Sequence, residues 1–334
     1  MITTSRPATY VLPIRRAANT PVDELASYLA RIARRCDVIV VDGSDAVAFD
    51  QAHIAWSQIA LHIAPESSIA GQNGKVRGVL TALGRSQHDR VVIADDDVRF
   101  GPAELERTIA LLDDADLVRP QNYFDPLPWH ARWDTARTLL NRAIDGVDFP
   151  GTLAVRRDVI ASAGGYDANV LFENLELIRT VEAVGGRTVS PLNLYVSRRP
   201  PSTRAFWSQR IRQAYDEFAR PHRLVIFLLI APTVAGALGR RRVSPVALAA
   251  LLSVAIAEAG RRRARGASVF PPSASWCAPL WLLERSVCSW FALAARLTGG
   301  CRYAGTKLQV AATPARELRR RIAARLPEQP RLTA

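Results

Sequence analysis

The sequence predicts an α/β fold with a mostly parallel sheet, followed by apolar helices toward the C-terminal end. In the first part of the chain, short apolar runs alternate with amphipathic segments at the spacing of strand–helix–strand units. Two of the apolar runs end on acidic residues, which is typical of the ligand-binding edge of such sheets. The last third of the chain instead combines apolar segments with clusters of arginine.

The predicted elements alternate along residues 10–119. Apolar runs rich in β-branched residues indicate strands at Tyr10–Ile14, Asp37–Val41, Val91–Ala94 and Leu117–Arg119. Apolar residues at helical spacing indicate helices at Val22–Arg35, Lys75–Leu83 and Pro102–Leu112. The proline suits the first turn of its helix, because no amide hydrogen bond is lost there. Strand, helix and strand in close succession favour a parallel sheet.

Charge and hydropathy divide the chain into parts. Residues 1–222 carry 26 Lys and Arg against 27 Asp and Glu, whereas residues 223–334 carry 18 against 4. Apolar segments in the basic part lie at Leu224–Gly239, Val243–Ala259 and Trp276–Leu297. Arginine beside apolar helices is typical of attachment to an anionic membrane face, and the apolar runs argue against nucleic acid as a partner. We predict a domain over 1–222, a membrane-associated helical region over 223–300 and a basic tail over 301–334.

These segments do not set the number of membrane spans. The first two are shorter than the roughly 20 residues that cross a bilayer upright, and the third carries Glu284 and Arg285 near its middle. Buried helices of a soluble domain are the alternative. No secretory signal opens the chain, so we expect a cell-membrane protein whose first domain is cytoplasmic. The four cysteines lack C-x-x-C spacing and indicate neither a zinc site nor a disulfide framework.

Three consecutive aspartates, Asp95 to Asp97, follow the predicted strand at Val91–Ala94. A divalent cation would relieve the repulsion between their charges, and a solvated acidic turn before the next helix is the alternative. Asp42 likewise ends the strand in "VIVVDGSD". In "GQNGKVRGVLTAL", Lys75 lies at the start of a predicted helix. There its ammonium group could bind a phosphate oxygen, and an ordinary exposed lysine is the alternative. The strand-end acids should meet at one crevice.

Taken in order, the motifs resemble those of the family 2 glycosyltransferases of the GT-A fold. The stretches that carry the resemblance are "YVLPIRR", "VVDGSD", "NGKVRGVL", "VVIADDDVRFGPAEL", "DFPGTLAVRRDVIASAGGYD", "FENLEL" and "SQRIRQAY". The likeness is greatest to the membrane-bound branch, which includes ceramide glucosyltransferase-like and cellulose synthase-like enzymes. It implies a Rossmann-like GT-A catalytic domain followed by membrane-associated helices.

The resemblance also implies where a nucleotide sugar would bind. Asp42 would contact the nucleoside and Lys75 would lie near the diphosphate. Asp95 and Asp97 would form the D-x-D motif that holds a divalent metal, Mg²⁺ or Mn²⁺, and Asp96 would lie beside the donor. The cation would then be the reason why these carboxylates are clustered.

A second motif, "SQRIRQAY", is similar to the Q-x-x-R-W element of the family. By that resemblance Gln209 and Arg212 would bind the leaving group, with help from Arg210, because a guanidinium suits a pair of phosphate oxygens. An amphipathic helix at a membrane interface is the alternative. Gln213 stands where the family has tryptophan, which favours transfer of a single sugar over polymerisation.

The family's catalytic base is the aspartate of an E-D pair, and this sequence departs from it. In "LFENLEL", Asn174 stands at the expected position, and an amide cannot accept the proton. Glu173 or Glu176 would then substitute, with Glu173 preferred because it keeps the family's first acidic position. The alternatives are another way of activating the acceptor, a loss of catalysis, or glutamates that merely decorate a helix.

The expected function is therefore an inverting, metal-dependent glycosyltransferase that moves one sugar from a nucleotide sugar to a lipid or lipid-linked acceptor at the membrane. A UDP-sugar is the expected donor. A catalytically silent relative that only binds nucleotides stays open because of the missing aspartate. A nucleotidyltransferase would share the fold and the metal carboxylates. The sequence leaves the sugar, the acceptor and the oligomeric state open.

Overall fold

The computed structural model describes residues 7–144, 148–303 and 305–325. The strands are β1 (Thr9–Ile14), β2 (Asp37–Asp42), β3 (Leu61–Ile63), β4 (Arg90–Ala94), β5 (Val98–Arg99), β6 (Leu117–Val118), β7 (Gln121–Phe124), β8 (Thr152–Arg156), β9 (Thr188–Val189), β10 (Tyr195–Arg198), β11 (Cys301–Tyr303) and β12 (Thr306–Leu308).

The helices are α1 (Asp23–Ile32), α2 (Ala46–Trp56), α3 (Gly74–Arg85), α4 (Pro102–Ala110), α5 (Trp129–Ile144), α6 (Arg157–Ser162), α7 (Glu173–Ala183), α8 (Thr203–Tyr215), α9 (Pro221–Gly239), α10 (Val243–Arg262), α11 (Pro272–Ser275), α12 (Ala278–Leu297) and α13 (Ala315–Arg325). The predicted strands and helices of residues 10–119 all form, with ends within a few residues of those expected.

The central sheet has the strand order β3-β2-β1-β4-β8-β6-β9 and is mainly parallel. Strands β3, β2, β1 and β4 run parallel to one another, whereas β8 is antiparallel to both β4 and β6. The predicted α/β fold with a mostly parallel sheet is therefore confirmed. Because parallel strands β1, β2 and β4 end at the same edge, the residues after them meet there.

Helices cover both faces of this sheet, which is why its strands are apolar on both sides. Along β1, Tyr10 and Leu12 point to one face and pack with α1 and α4, while Val11 points to the other. On that second face α3 and α7 contribute residues such as Val79 and Val181. The alternation follows from the two-residue period of a strand.

A small second sheet, β5-β10-β7, lies next to the carboxyl end of β4. Strand β10 is antiparallel to β5, so that Arg198 pairs with Val98. This pairing brings the end of β10 beside the aspartates that precede β5.

The C-terminal helices pack on α5 and α8 of the preceding part of the chain. A buried cluster joins them, with Ala136 and Leu139 from α5, Phe227 from α9, Ala257 from α10 and Trp281 from α12. In α10 the contact needs a glycine, because a Cβ at position 260 would lie 2.0 Å from the backbone oxygen of Leu139. The division at residues 222 and 300 stays a prediction.

Within the described part of the chain, two helical segments are long and apolar enough to cross a membrane, Pro221–Gly239 and Val243–Ser268. Only 11% of the first and 17% of the second is buried, so neither is an ordinary core helix. The third predicted apolar segment forms α12 and is not among these helices of the described residues. Glu284 and Arg285 lower its mean hydropathy. Association of α9 and α10 with a membrane, and their topology, remain predictions.

The last described residues return to the α/β part instead of extending as a separate tail. Strands β11 and β12 form a hairpin, Val310 pairs with Val170, and α13 buries Leu318 and Ile322. Residues 326–334 of the predicted basic tail lie outside the described part of the chain.

Candidate active site

The carboxyl edge of the sheet opens into a cleft of about 770 Å³. Residues that follow β1, β2 and β4 line it, together with the start of α3 and parts of β10, α8 and the β11–β12 hairpin. The predicted binding residues in its lining are Asp42, Lys75, Asp95, Asp96, Asp97, Gln209 and Arg212. The sheet thus brings together most of the residues that the sequence singles out.

One end of the cleft is built around Asp42, which is fully buried. Its Oδ1 accepts hydrogen bonds from the backbone and hydroxyl groups of Ser44, and its Oδ2 lies 3.3 Å from His62 Nε2. The His62 ring stacks on Phe49 with centroids 4.4 Å apart. Burial acts to raise the pKa of Asp42, but His62 and Ser44 lower it below its usual value. Asp42 is therefore ionised and rigidly held.

Lys75 lies at the N-terminus of α3. Asn73 caps this helix, because its Oδ1 accepts a hydrogen bond from the backbone N–H of Lys75 at 3.1 Å. Its Nζ lies 2.6 Å from Asp95 Oδ1 and 2.8 Å from Glu173 Oε1. Burial acts to lower the pKa of Lys75, but these two carboxylates raise it above its usual value. The lysine stays charged and links the strand-end acids to α7.

Arg198, at the end of β10, bridges Asp95 and Asp97. Its Nε lies 2.7 Å from Asp97 Oδ2, and its Nη2 lies 3.4 Å from Asp95 Oδ2. The backbone at Gly151 passes so close to Asp95 that the position needs a glycine, because a Cβ there would lie 2.7 Å from Asp95 Oδ2. Asp96, between them, is exposed and also lines the cleft. The two outer aspartates therefore share a side, as the strand geometry predicts.

The carboxylates suit a divalent cation. Burial raises the pKa of Asp97 to about 6, whereas for Asp95 the charges of Lys75 and Arg198 outweigh burial and lower it. Asp97 Oδ1 is buried and has no hydrogen-bond partner among the described residues. No three acidic, histidine or cysteine side chains gather into a complete metal site in residues 7–144, 148–303 and 305–325. A cation on Asp95 and Asp97 would therefore need further oxygen ligands, from water or from a bound phosphate group.

A second, smaller cavity of about 130 Å³ adjoins the cleft. The two share Asp95, Arg198, Gln209 and Arg212, and the smaller one is also lined by Glu173 and Asn174. It therefore opens beside Asp95 at the carboxyl edge of the sheet.

Asn174 is held within this cavity by hydrogen bonds. Its Nδ2 donates to the backbone oxygen of Pro150 at 2.9 Å, and its Oδ1 accepts from Lys75 Nζ at 3.5 Å. The amide thus uses both its donor and its acceptor, which a carboxylate could not do.

Two predicted site residues lie elsewhere. Glu176 lies on the inner side of α7 and is fully buried. Its Oε2 accepts a hydrogen bond from the backbone N–H of Thr313 at 2.6 Å. Arg210 is buried on the opposite side of α8, where it pairs with Asp134 at 2.8 Å and Glu284 at 2.6 Å. Neither lines the two cavities, because each points from its helix into the protein. Their predicted roles in catalysis and in donor binding stay predictions.

No protein-family model and no curated protein matches the chain. It is similar to a solved mannosyltransferase from Pyrobaculum calidifontis in complex with GDP-mannose and Mn²⁺, at 20% identity and a TM-score of 0.48, over 86% of this chain and 87% of that one. It is also similar to glucosyl-3-phosphoglycerate synthase from Mycobacterium tuberculosis in complex with Mn²⁺ and UDP-glucose, at 16% identity and a TM-score of 0.42, over 60% and 74%.

A third similar structure is mannosyl-3-phosphoglycerate synthase from Rubrobacter xylanophilus, at 15% identity and a TM-score of 0.40, over 61% of this chain and 70% of that one. At these identities and TM-scores the likeness concerns the fold alone.

Four lining residues could not be found from sequence motifs. Arg198 ends an ordinary strand, Asp216 follows α8, Arg285 lies in an apolar segment and Tyr303 lies near the C-terminal end. Of these four residues, only Arg285 could have been noticed in the sequence. A charged residue inside an apolar segment is energetically costly and often marks a functional position. The other three reach the site through the packing of distant elements.

Proposed function

We propose that this protein is a metal-dependent, inverting glycosyltransferase that moves a single sugar from a nucleotide sugar to a lipid or lipid-linked acceptor at the membrane. The observation that carries the proposal is the pair Asp95 and Asp97 at the carboxyl edge of the sheet, with one buried carboxylate oxygen left unpartnered among the described residues. A turn that only capped a helix would be solvated and would not need the bridging Arg198.

In this proposal the donor lies along the cleft with its nucleoside near Asp42. That end carries apolar side chains, including Phe49 and Pro65, that suit a base, while the ionised Asp42 suits the hydroxyls of a ribose. A UDP-sugar is the donor we expect.

The diphosphate then lies at the other end of the cleft, where Lys75, Arg198 and Arg212 line the wall. Their positive charge would orient the diphosphate and stabilise the charge that develops as it leaves. A cation held by Asp95 and Asp97 supplies further stabilisation of that charge when it is bound.

The acceptor would approach through the smaller cavity. Of the two predicted catalytic acids only Glu173 lines it, and its Oε1 is already engaged by Lys75 at 2.8 Å. Glu173 is therefore our candidate base for an acceptor that reacts through a hydroxyl.

A panel of nucleotide sugars tests the function. Purified full-length protein is incubated with each donor, Mn²⁺ and membrane lipids, and the released nucleotide is identified. We expect one class of donor to yield nucleoside diphosphate. EDTA should stop this release, because without a divalent cation the negative charge of the leaving diphosphate is no longer neutralised. Pyrophosphate as the product would select a nucleotidyltransferase. Release of nothing from any donor would contradict the proposal and favour a catalytically silent nucleotide-binding protein.

The proposed membrane partner rests on the apolar surface of α9 and α10. Exposed side chains such as Ile226, Leu229, Leu251 and Leu252 project from these helices, which are each about 30 Å long. Exposed arginines at 240–242 lie in the turn between them. An apolar surface with arginine at its end fits a bilayer that contains anionic lipid.

Vesicle binding tests this part. We expect the protein to bind phosphatidylcholine vesicles and to bind more tightly when phosphatidylglycerol is added, because each arginine near the surface contributes about 1 kcal/mol. Replacing Arg240, Arg241 and Arg242 with glutamine should remove most of the added affinity, measured by co-sedimentation. The control replaces Arg31, Arg34 and Arg85 on the α/β domain. Equal behaviour of the two triple variants would contradict the proposed contact.

A further inference from the structure

Five guanidinium groups line the smaller cavity. They come from α5, β10, α8, α12 and the connection between α8 and α9, which meet only in the folded protein: Arg137, Arg198, Arg212, Arg220 and Arg285. Several are neutralised by acids within the protein. Arg137 pairs with Asp148 at 3.2 Å, Arg198 with Asp97 at 2.7 Å and Arg220 with Glu217 at 3.3 Å.

Arg285 is not neutralised in this way. Only 1% of its surface is exposed, and its Nε and Nη1 have no hydrogen-bond partner among the described residues. Its guanidinium lies over the Trp281 ring at 5.1 Å, a contact that leaves the edge of the guanidinium plane free to donate. A buried guanidinium without a partner is costly, and an anionic ligand would remove that cost.

Two neighbours in the cavity fit the same ligand. Arg212 forms no ion pair within residues 7–144, 148–303 and 305–325, and it lies over Tyr303 at 5.5 Å. Asp216 has a buried Oδ1 that lacks a partner among the same residues. Burial raises the pKa of Asp216 to about 7, so near neutral pH the carboxyl keeps its proton part of the time and can donate to an anion.

We propose that this cavity binds a phosphate monoester carried by the acceptor, and that an oxygen of this phosphate is the nucleophile of the reaction. The inference rests on the proposed glycosyltransferase function. The cavity volume of about 130 Å³ admits a group of phosphate size, and the shared residues Asp95, Arg198, Gln209 and Arg212 place it next to the donor cleft.

The reaction then balances without a base. A phosphate oxygen attacks the anomeric carbon, the bond from that carbon to the donor diphosphate breaks, and its electron pair leaves with the nucleoside diphosphate. The monoester becomes a phosphodiester. Because the attacking oxygen is already ionised, no proton has to be removed. An amide at Asn174 therefore costs the reaction nothing, whereas a carboxylate there would repel the incoming phosphate.

The position of Arg285 points to a lipid as the carrier of the phosphate. It lies on α12, whose outward side exposes apolar residues, including Leu283, Val287 and Phe291. One helix thus presents an apolar surface outward and an unpartnered cation inward. That arrangement suits an acceptor with an apolar chain and a phosphate head.

Transfer assays test the proposal with the purified full-length protein in phosphatidylcholine vesicles. One set of vesicles contains a polyprenyl phosphate, and a second contains the matching polyprenol without phosphate. A third set contains neither lipid, and soluble glycerol 3-phosphate is added to it. In each case the release of nucleoside diphosphate is measured. We expect the polyprenyl phosphate to raise the rate about tenfold or more over the polyprenol, as loss of a charged hydrogen-bond partner would imply. Stimulation by glycerol 3-phosphate alone would support the phosphate site but overturn the lipid carrier.

Variants of Arg285 keep the test specific to the cavity. Arg285→Gln should lose the stimulation by phosphate, Arg285→Lys should keep part of it, and donor affinity should stay unchanged in both. Arg204→Gln, which removes an exposed charge from α8, is the control. Asn174→Asp should slow transfer to the phosphate acceptor.

A binding measurement separates this inference from the proposed function. Inorganic phosphate, compared with chloride at equal ionic strength, should raise the melting temperature of the wild type and of Arg204→Gln but not that of Arg285→Gln. Equal turnover with polyprenol and polyprenyl phosphate, or an unchanged response in Arg285→Gln, would overturn the inference while donor turnover stands. A phosphate-dependent shift without turnover of any donor would instead support the phosphate site and contradict the glycosyltransferase.

Discussion

Replacing Asp95 and Asp97 together with asparagine should lower turnover by about a thousandfold, because the chain then loses both charges that would hold the cation against the donor diphosphate. Donor affinity should lose its dependence on Mn²⁺ for the same reason. Both quantities are measured with the purified protein, as the rate of nucleoside diphosphate release and as donor binding with Mn²⁺ or EDTA.

A folding defect has to be separated from this effect, since Asp95 is the partner of Lys75 at 2.6 Å. Asp97→Asn alone leaves that ion pair intact and should still lower turnover by about a hundredfold. The control variant changes the exposed Asp50 and Asp114 to asparagine and should match the wild type. If the double variant at 95 and 97 kept its turnover and its Mn²⁺ dependence, the proposed metal site and the function built on it would both fail.

Replacing Arg210 with methionine should be the most destabilising single change among the residues that the sequence singled out. The side chain is 2% exposed, and its guanidinium donates to Asp134 at 2.8 Å, Gln213 at 2.9 Å and Glu284 at 2.6 Å. Its removal takes the guanidinium away from the Glu284 carboxylate and leaves Asp134 paired with Arg137 at 3.6 Å, and breaking buried ion pairs in this way costs about 3–5 kcal/mol. We expect the melting temperature to fall by about 5–10 °C.

The same variant should also weaken activity, because Arg210 ties α8 to α12 and so positions Gln209 and Arg212 at the cleft. Adding Glu284→Met to Arg210→Met should recover part of the lost stability, since the carboxylate that paired with Arg210 at 2.6 Å is then removed. Arg204→Gln, which removes an exposed arginine from the same helix, is the control. A wild-type melting temperature in Arg210→Met would contradict a structural role for this ion pair.

The parts of the fold that the sequence predicts well are those that local pattern decides. The strands around Tyr10, Val38 and Val92 are apolar runs of the right length, and the helix after Asn73 has both a cap and helical spacing. Their parallel order follows from the short crossover helices between them. The same reasoning places Asp42, Lys75 and the three aspartates at one edge.

The roles within α7 and α8 could not be predicted in the same way. Glu173 and Glu176 are three residues apart, yet one lines the cavity and the other is buried against Thr313. Arg210 and Arg212 differ likewise, because a rotation of about 200° along the helix separates residues two apart. Which face of a helix meets the cleft depends on what packs behind it, and no motif carries that information.

The sequence by itself determined the α/β class, the edge of the sheet at which the acids gather, and the apolar, basic character of the last third. Each of these is a property of residues close together along the chain, where strand and helix periods act directly. Only the tertiary structure decided that Arg198, Asp216, Arg285 and Tyr303 line the site, and that α12 turns Glu284 and Arg285 inward. These residues meet because distant elements pack together, and the charges that end up facing one another depend on that packing.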